Sequence, residues 1–96
     1  MNQLVTLSMN IPGQVIVDPQ KPVVSHTDTL SWKSDQGDLV VWFDDDPFEN
    51  GKQFSAKKGE ETVLCKIRPS AASGPHQCRA TINGVSGEGY GFDIQP

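Results

Sequence analysis

Two cysteines and one histidine are the residues of this sequence best suited to bind a soft metal ion or to form a cross-link. Cys65 and Cys78 lie 13 positions apart (78 minus 65), and His76 precedes Cys78 by two positions. Thiolate and imidazole ligands suit copper and zinc, yet a zinc site needs four ligands, or three and a water molecule. We expect no bound metal, and a site formed by Cys65, His76 and Cys78 is the alternative. A disulfide between the two cysteines and a pair of buried thiols both remain open.

Acidic residues are concentrated in the segment Asp44–Gly51, which contains three consecutive aspartates and Glu49. Carboxylate oxygens are the ligands that calcium prefers, but consecutive side chains of an extended segment point in alternate directions. The sequence therefore predicts a solvated acidic loop, and weak calcium binding is the alternative.

Serine and histidine residues occur in patterns that only partly match catalytic motifs. Ser25, His26 and Asp28 are close in sequence, but a catalytic triad is an arrangement in space. Gly84–Glu88 begins like a nucleophile elbow around Ser86 and has glutamate where the second glycine belongs. We expect that the chain is not an enzyme.

Trp42 is the strongest candidate for a contact with a partner. If Leu39, Val41 and Phe43 face the core, period-two alternation turns Val40 and Trp42 outward. An outward tryptophan beside a valine is typical of protein interfaces. The inverted strand, with Trp42 buried, is the alternative.

Length and charge narrow the class of protein. A chain of 96 residues predicts one domain, spanning positions 1–96, and the net charge of -4 disfavours nucleic acid and anionic lipid as partners. The longest apolar run is Leu39–Phe43, far short of a membrane span. No signal peptide is visible at the start, so we expect a cytoplasmic protein if that start is native, and a periplasmic or secreted one if a leader was trimmed.

Short alternating segments separated by turn residues predict the elements that position these side chains. The pattern indicates strands over Gln3–Met9, Val15–Val17, Gln53–Ala56, Glu61–Ile67, Gln77–Ile82 and Tyr90–Gln95, and an edge or extended segment over Lys21–Ser25. Thr29–Lys33 and Asp38–Phe43 are predicted to form a hairpin around Ser34–Gly37, and Pro69–Pro75 is predicted to be a loop. No segment has the period of an amphipathic helix. We expect an antiparallel β-sandwich of seven or eight strands.

Several of these segments resemble the cupredoxin-like domain family. The similarity lies in Thr27–Trp32, Val40–Phe43, Pro47–Phe48, Gln77–Gly84 and Phe92–Ile94, within a region from Val23 to Ile94. It implies a Greek-key sandwich, and an immunoglobulin-like sandwich is the alternative.

The copper ligands of that family do not match this chain. Copper members use an upstream histidine and a later cysteine, histidine and methionine, whereas here His76 precedes Cys78 and both methionines, Met1 and Met9, lie far upstream. The resemblance therefore implies the fold without its copper. We expect a non-catalytic accessory or recognition module with an unknown protein partner, acting through Trp42 or through the loops Asp44–Gly51 and Pro69–Pro75. A metal-handling or electron-transfer protein with an atypical copper site is the alternative.

Overall fold

Ten β-strands form the described part of the computed structural model, which comprises residues 2–9, 11, 14–18, 22–87 and 90–96. The strands are β1 (Asn2–Met9), β2 (Val15–Asp18), β3 (Val23–Val24), β4 (Thr29–Lys33), β5 (Leu39–Phe43), β6 (Gln53–Ala56), β7 (Cys65–Lys66), β8 (Gly74–Ile82), β9 (Val85–Ser86) and β10 (Tyr90–Ile94). The predicted all-β class is confirmed. The count is ten instead of the expected seven or eight, because short strands also form at β3, within the predicted edge or extended segment Lys21–Ser25, and at β9.

The strands form two sheets that pack face to face. A four-stranded sheet has the order β2-β1-β4-β7, and a six-stranded sheet has the order β3-β10-β8-β5-β6, with β9 beside β8. Both sheets are mixed, because β1 runs parallel to β4 and β10 runs parallel to β3. The sandwich that was expected to be antiparallel thus contains two parallel pairs, while the other strand pairs of the described structure are antiparallel. Between β1 and β4 the chain leaves for the other sheet at β3 and returns, which brings β4 back in the direction of β1.

The predicted hairpin between β4 and β5 is also wrong. The strands form as expected, but β4 pairs with β1 and β7, whereas β5 pairs with β6 and β8. The connection Ser34–Asp38 therefore crosses from one sheet to the other instead of closing a ladder. Both strands bury their alternate apolar side chains. The same sequence pattern is therefore compatible with two strands of one sheet joined by a hairpin and with two strands of opposite sheets.

Aromatic side chains from several strands meet in one core between the sheets. Trp32 lies at its centre, with ring centroids 5.4 Å from Phe43, 5.6 Å from Phe48 and 6.2 Å from Phe54. In β5 and β8 every second side chain is buried, as the period-two pattern predicts. Burial of these side chains is the main favourable contribution to folding.

Val63 does not lie on the buried face that alternation predicts for Glu61–Ile67. Its side chain is 63% exposed, and only Cys65–Lys66 of this segment forms a strand. Thr62 is buried instead, because its N–H donates to Trp32 O at 2.9 Å and its hydroxyl accepts from Trp32 N–H at 3.1 Å. These two hydrogen bonds hold the Thr62 side chain toward the core, and the next side chain, Val63, therefore points toward solvent.

A two-residue turn joins β8 to β9. Asn83 and Gly84 both have positive φ, 52° and 78°, which is typical of the tight turns in hairpins. The sequence also predicts a turn at Pro12-Gly13 and a strand end at Asp18-Pro19, and Pro12, Gly13 and Pro19 lie outside the described residues. The described part of the chain contains no helix with the length and hydrophobicity to cross a membrane.

Candidate functional site

The three consecutive aspartates of the acidic loop each contact a different basic side chain. Asp44 lies 3.4 Å from Arg79, Asp45 lies 2.6 Å from His76, and Asp46 lies 3.0 Å from Arg68. The three carboxylates therefore face different partners, although Asp44 and Asp45 lie in a bend and not in an extended segment. Among the described residues, no group of three or more His, Cys, Asp or Glu side chains is arranged to hold a metal ion.

Backbone hydrogen bonds join the acidic loop to the segment around β7. Phe48 forms an isolated bridge with Ile67, and Arg68 N–H donates to Pro47 O at 2.8 Å. Lys66 N–H also donates to Asn50 Oδ1 at 2.8 Å. Phe48 is fully buried beneath this junction. The loop is thus anchored to the core along most of its length.

His76 connects the acidic loop with the loop that precedes β8. Its Nδ1 lies 2.6 Å from Asp45 Oδ2, and its Nε2 lies 2.7 Å from Ala72 O. A neutral imidazole carries one N–H, so only the doubly protonated ring donates to both oxygens. The ring also stacks on Phe92, with centroids 5.4 Å apart. His76 thereby links two loops and an aromatic side chain of the core.

The two cysteines are buried, as predicted, but they lie in opposite sheets. Cys65 belongs to β7 and Cys78 to β8, and no disulfide joins them. The disulfide alternative is therefore not realised in this structure. Burial raises the pKa of the Cys65 thiol to about 12, and its Sγ donates to Val63 O at 3.3 Å. A thiol that stays protonated is a poor nucleophile and a poor metal ligand.

The residues of the alternative metal site, Cys65, His76 and Cys78, do not fit a copper ion. Both nitrogens of His76 already face oxygen atoms, so the ring offers no lone pair to a metal unless it leaves Asp45 or Ala72. Cys65 lies in the sheet opposite His76 and Cys78. Met9 lies on β1, in the sheet that contains Cys65.

Ser25 and His26, which partly match a catalytic motif, make hydrogen bonds within a turn and to a neighbouring loop. Ser25 N–H donates to Asp28 Oδ2 at 3.0 Å, which lowers the pKa of that carboxyl, and Asp28 N–H donates to Ser25 O. His26 Nε2 lies 2.8 Å from Ala71 O. These contacts stabilise a turn and attach it to a neighbouring loop. Ser86 lies on the exposed strand β9, with no helix after it in the described part of the chain.

Val40 and Trp42 lie on the outer face of the six-stranded sheet, which is the first of the two orientations that alternation left open. Their neighbours in β5 are buried, while both residues are half-buried. Trp42 stands between Gln53 of β6 and Arg79 of β8 in the pairing register. Val40 stands between Ser55 and Thr81. The apolar pair is thus bordered by polar side chains on both sides.

Sequence reasoning missed the ion pairs that organise this end of the molecule. Arg68, His76 and Arg79 are the basic residues that contact the three aspartates. One signal was available, since the three basic residues lie between positions 68 and 79, and two of them, His76 and Arg79, belong to β8. Which aspartate meets which partner depends on the pairing of β5 with β8, which is not visible in the local pattern.

Comparison with known proteins adds no relative. No protein-family model matches this chain, and no curated protein matches it.

Proposed function

We propose that this chain is a non-catalytic recognition domain, a Greek-key sandwich of cupredoxin-like type without copper, which binds a protein partner around Val40 and Trp42. The observation that carries the proposal is the position of these residues on the outer face of the six-stranded sheet. In the described structure no further layer packs on that face.

The composition of this surface supports a protein as the partner. Tryptophan is enriched among the residues that contribute most to binding energy, and such residues work best inside a polar rim. Gln53 and Arg79 provide that rim, and Asp44 pairs with Arg79 at 3.4 Å. The net charge of -4 also disfavours nucleic acid.

Grooves beside the apolar pair support the same interpretation. One groove of about 400 Å³ includes Asp44, Gln77 and Arg79 in its lining. Another of about 400 Å³ includes Val40 and Ser55. Both grooves are open and shallow, which suits the side chains of a protein surface better than an enclosed small molecule.

Photo-crosslinking tests which face meets the partner. A photoreactive residue in place of Ser55, beside Val40, should capture a defined protein in cells, and the same residue in place of Leu4, on the four-stranded sheet, should not. Equal capture at both positions would count against the proposal.

Affinity measurements with the captured protein then test Trp42 itself. Trp42→Ala should weaken binding at least about tenfold, as expected for an interface anchor. Val23→Ala, an exposed apolar position on the edge strand β3, should leave affinity unchanged. Unchanged affinity of the Trp42→Ala variant would refute the assignment.

Calorimetric titration with Cu(II) and Cu(I) tests the absence of copper. We expect no stoichiometric sub-micromolar binding, since both nitrogens of His76 are engaged. Tight binding that is lost in His76→Ala or Cys78→Ala would overturn this part and favour the metal-handling alternative.

A further inference from the structure

The strand β2 forms an unpaired edge of the four-stranded sheet. Its sequence Val-Ile-Val-Asp pairs with β1 on one side, and no described strand lies on the other. An open groove of about 530 Å³ follows this edge and is lined by Val15, Ile16, Val17 and Asp18. Exposed edges with high β propensity are templates for a further strand, and proteins usually block them with lysine or proline. The described strand β2 contains neither residue.

Hydrogen bonds of β1 reveal which backbone groups of β2 face this edge. Met9 N–H donates to Gln36 Oε1 at 2.7 Å, and Met9 O accepts from Gln36 Nε2 at 3.1 Å. Gln36 follows β4, so the backbone groups of Met9 point toward β4 and away from β2. Met9 opposes Val15, which makes this a non-hydrogen-bonded pair. By alternation, Ile16 and Asp18 bond to β1, while the N–H and C=O groups of Val15 and Val17 point outward.

This outward set is complementary to itself. When two β2 strands meet antiparallel with Ile16 on the two-fold axis, Val15 of each copy opposes Val17 of the other, and each such pair exchanges two hydrogen bonds. A register centred on Val17 would need an amide hydrogen from position 19, which is a proline. A register centred on Val15 forms fewer bonds, because Val17 then opposes position 13 beyond the strand. The Ile16 register is therefore preferred.

Charge and polarity agree with the same register. Asp18 is the only charged residue of β2, and it opposes Gln14 of the second copy, whose amide can donate to the carboxylate. The two Asp18 carboxylates lie at opposite ends of the ladder. The Ile16 side chains, each 39% exposed, meet on the outer face. The half-buried Val15 and Val17 lose further solvent contact on the inner face.

We propose that β2 binds the β2 strand of a second copy of this chain, joining two four-stranded sheets into one continuous sheet of eight strands. The contact is short, with four residues from each copy, so the dimer is weak and depends on protein concentration. It leaves Val40 and Trp42, on the other sheet, accessible. The proposal does not depend on the function assigned to them.

Sedimentation velocity from about 10 μM to about 1 mM covers the range expected for such a small interface. The wild-type chain should show a reversible monomer–dimer equilibrium. Ile16→Lys places two ammonium groups face to face on the two-fold axis and should raise the dissociation constant at least about tenfold. Leu4→Lys is the matched control, because Leu4 is 38% exposed on the same sheet but lies on the inner strand β1. This variant should dimerise as the wild type does.

Mixing two oppositely charged variants of Ile16 tests whether dimerisation can be restored. Equal amounts of Ile16→Lys and Ile16→Glu should form a heterodimer, since the ammonium and carboxylate then face each other. Circular dichroism and thermal melting establish that each variant is folded.

Amide hydrogen exchange of the wild-type chain gives a readout that needs no substitution. Protection at Val15 and Val17 should increase with protein concentration, while Ile16, bonded to β1, should remain protected throughout. A single monomeric species up to about 1 mM would overturn the proposal, given the weak binding expected of such an edge. The proposal would also be overturned if Ile16→Lys left the dimer intact, or if Leu4→Lys weakened the dimer as much as Ile16→Lys does. If neither Ile16 variant folds, the exchange measurement on the wild-type chain is sufficient as a test. Exchange rates at Val15 and Val17 that do not depend on protein concentration would then refute the proposed dimer.

Discussion

The hydrogen-bonded pair between His76 and Asp45 provides a quantitative test of how the acidic loop is attached to the sandwich. His76→Phe retains an aromatic ring to stack on Phe92 and removes both hydrogen bonds of the imidazole. Asp45→Ala removes the carboxylate alone. The double variant completes a thermodynamic cycle that isolates the interaction between the two side chains.

The expected magnitude follows from the exposure of the two partners. A hydrogen bond to a charged group contributes about 1.5–3 kcal/mol. Here the His76 side chain is 6% exposed, but that of Asp45 is 52% exposed, so water competes for the carboxylate. We therefore expect a coupling energy of about 1 kcal/mol. His76→Phe should lower the free energy of unfolding by about 1 kcal/mol more than Asp45→Ala does, because it also removes the hydrogen bond to Ala72 O.

Urea unfolding followed by tryptophan fluorescence measures these free energies, and thermal melting checks them independently. In a domain of this size, a loss of about 1 kcal/mol lowers Tm by about 4–8 °C. The coupling should decrease in about 1 M salt, where charges near the surface are screened. Additive effects of the two substitutions, with a coupling below about 0.3 kcal/mol, would refute the assigned contact.

Four further results are expected. Ellman's reagent at about pH 8 should find no reactive thiol in the folded chain and both after unfolding, because Cys65 and Cys78 are buried and not cross-linked. The unfolded Cys65 ionises near its ordinary pKa of 9.0 and the folded one at about 12, so its contribution to stability should be lost as pH rises across this window. Gly91→Ala should reduce the free energy of unfolding by about 1–3 kcal/mol, because the added Cβ would lie 2.6 Å from a carbonyl oxygen of β8. Acrylamide should quench Trp42, measured in a Trp32→Phe variant, more than Trp32, measured in a Trp42→Phe variant, because Trp32 is 1% exposed.

Each of these expectations has a result that contradicts it. If neither cysteine reacts with Ellman's reagent after unfolding in the absence of a reductant, the two cysteines form a disulfide. The alkaline loss of stability should be smaller in Cys65→Ala, and an identical loss would assign it to another group. Wild-type stability of Gly91→Ala would show that β8 and β10 are not in close contact at this point. Equal quenching of both tryptophans would place Trp42 inside the core.

Period-two alternation predicted much of the secondary structure correctly. The inward positions of β5 and β8, including His76 and Cys78, follow from the geometry of an extended backbone, in which successive side chains alternate between faces. The prediction failed at Val63, where two hydrogen bonds between Thr62 and Trp32 outweigh the apolar preference. Local patterns are reliable where the burial of apolar side chains decides the conformation, and less so where a polar residue finds buried partners.

The candidate surface was identified from sequence only in outline. Alternation left open whether Val40 and Trp42 face outward or inward, and their polar neighbours Gln53 and Arg79 come from two other strands, β6 and β8. The same limit applies to Asp45 and His76, which are 31 positions apart.

The order of amino acids is sufficient to specify an all-β chain with one apolar face per strand, because that pattern depends on residues only two positions apart. It does not specify whether β4 and β5 share a sheet, or that Cys65 and Cys78 lie in opposite sheets. Those features arise when strands select their neighbours through contacts that are distant along the chain. Several pairings bury the same side chains, and the packed molecule retains the one that also satisfies the backbone hydrogen bonds.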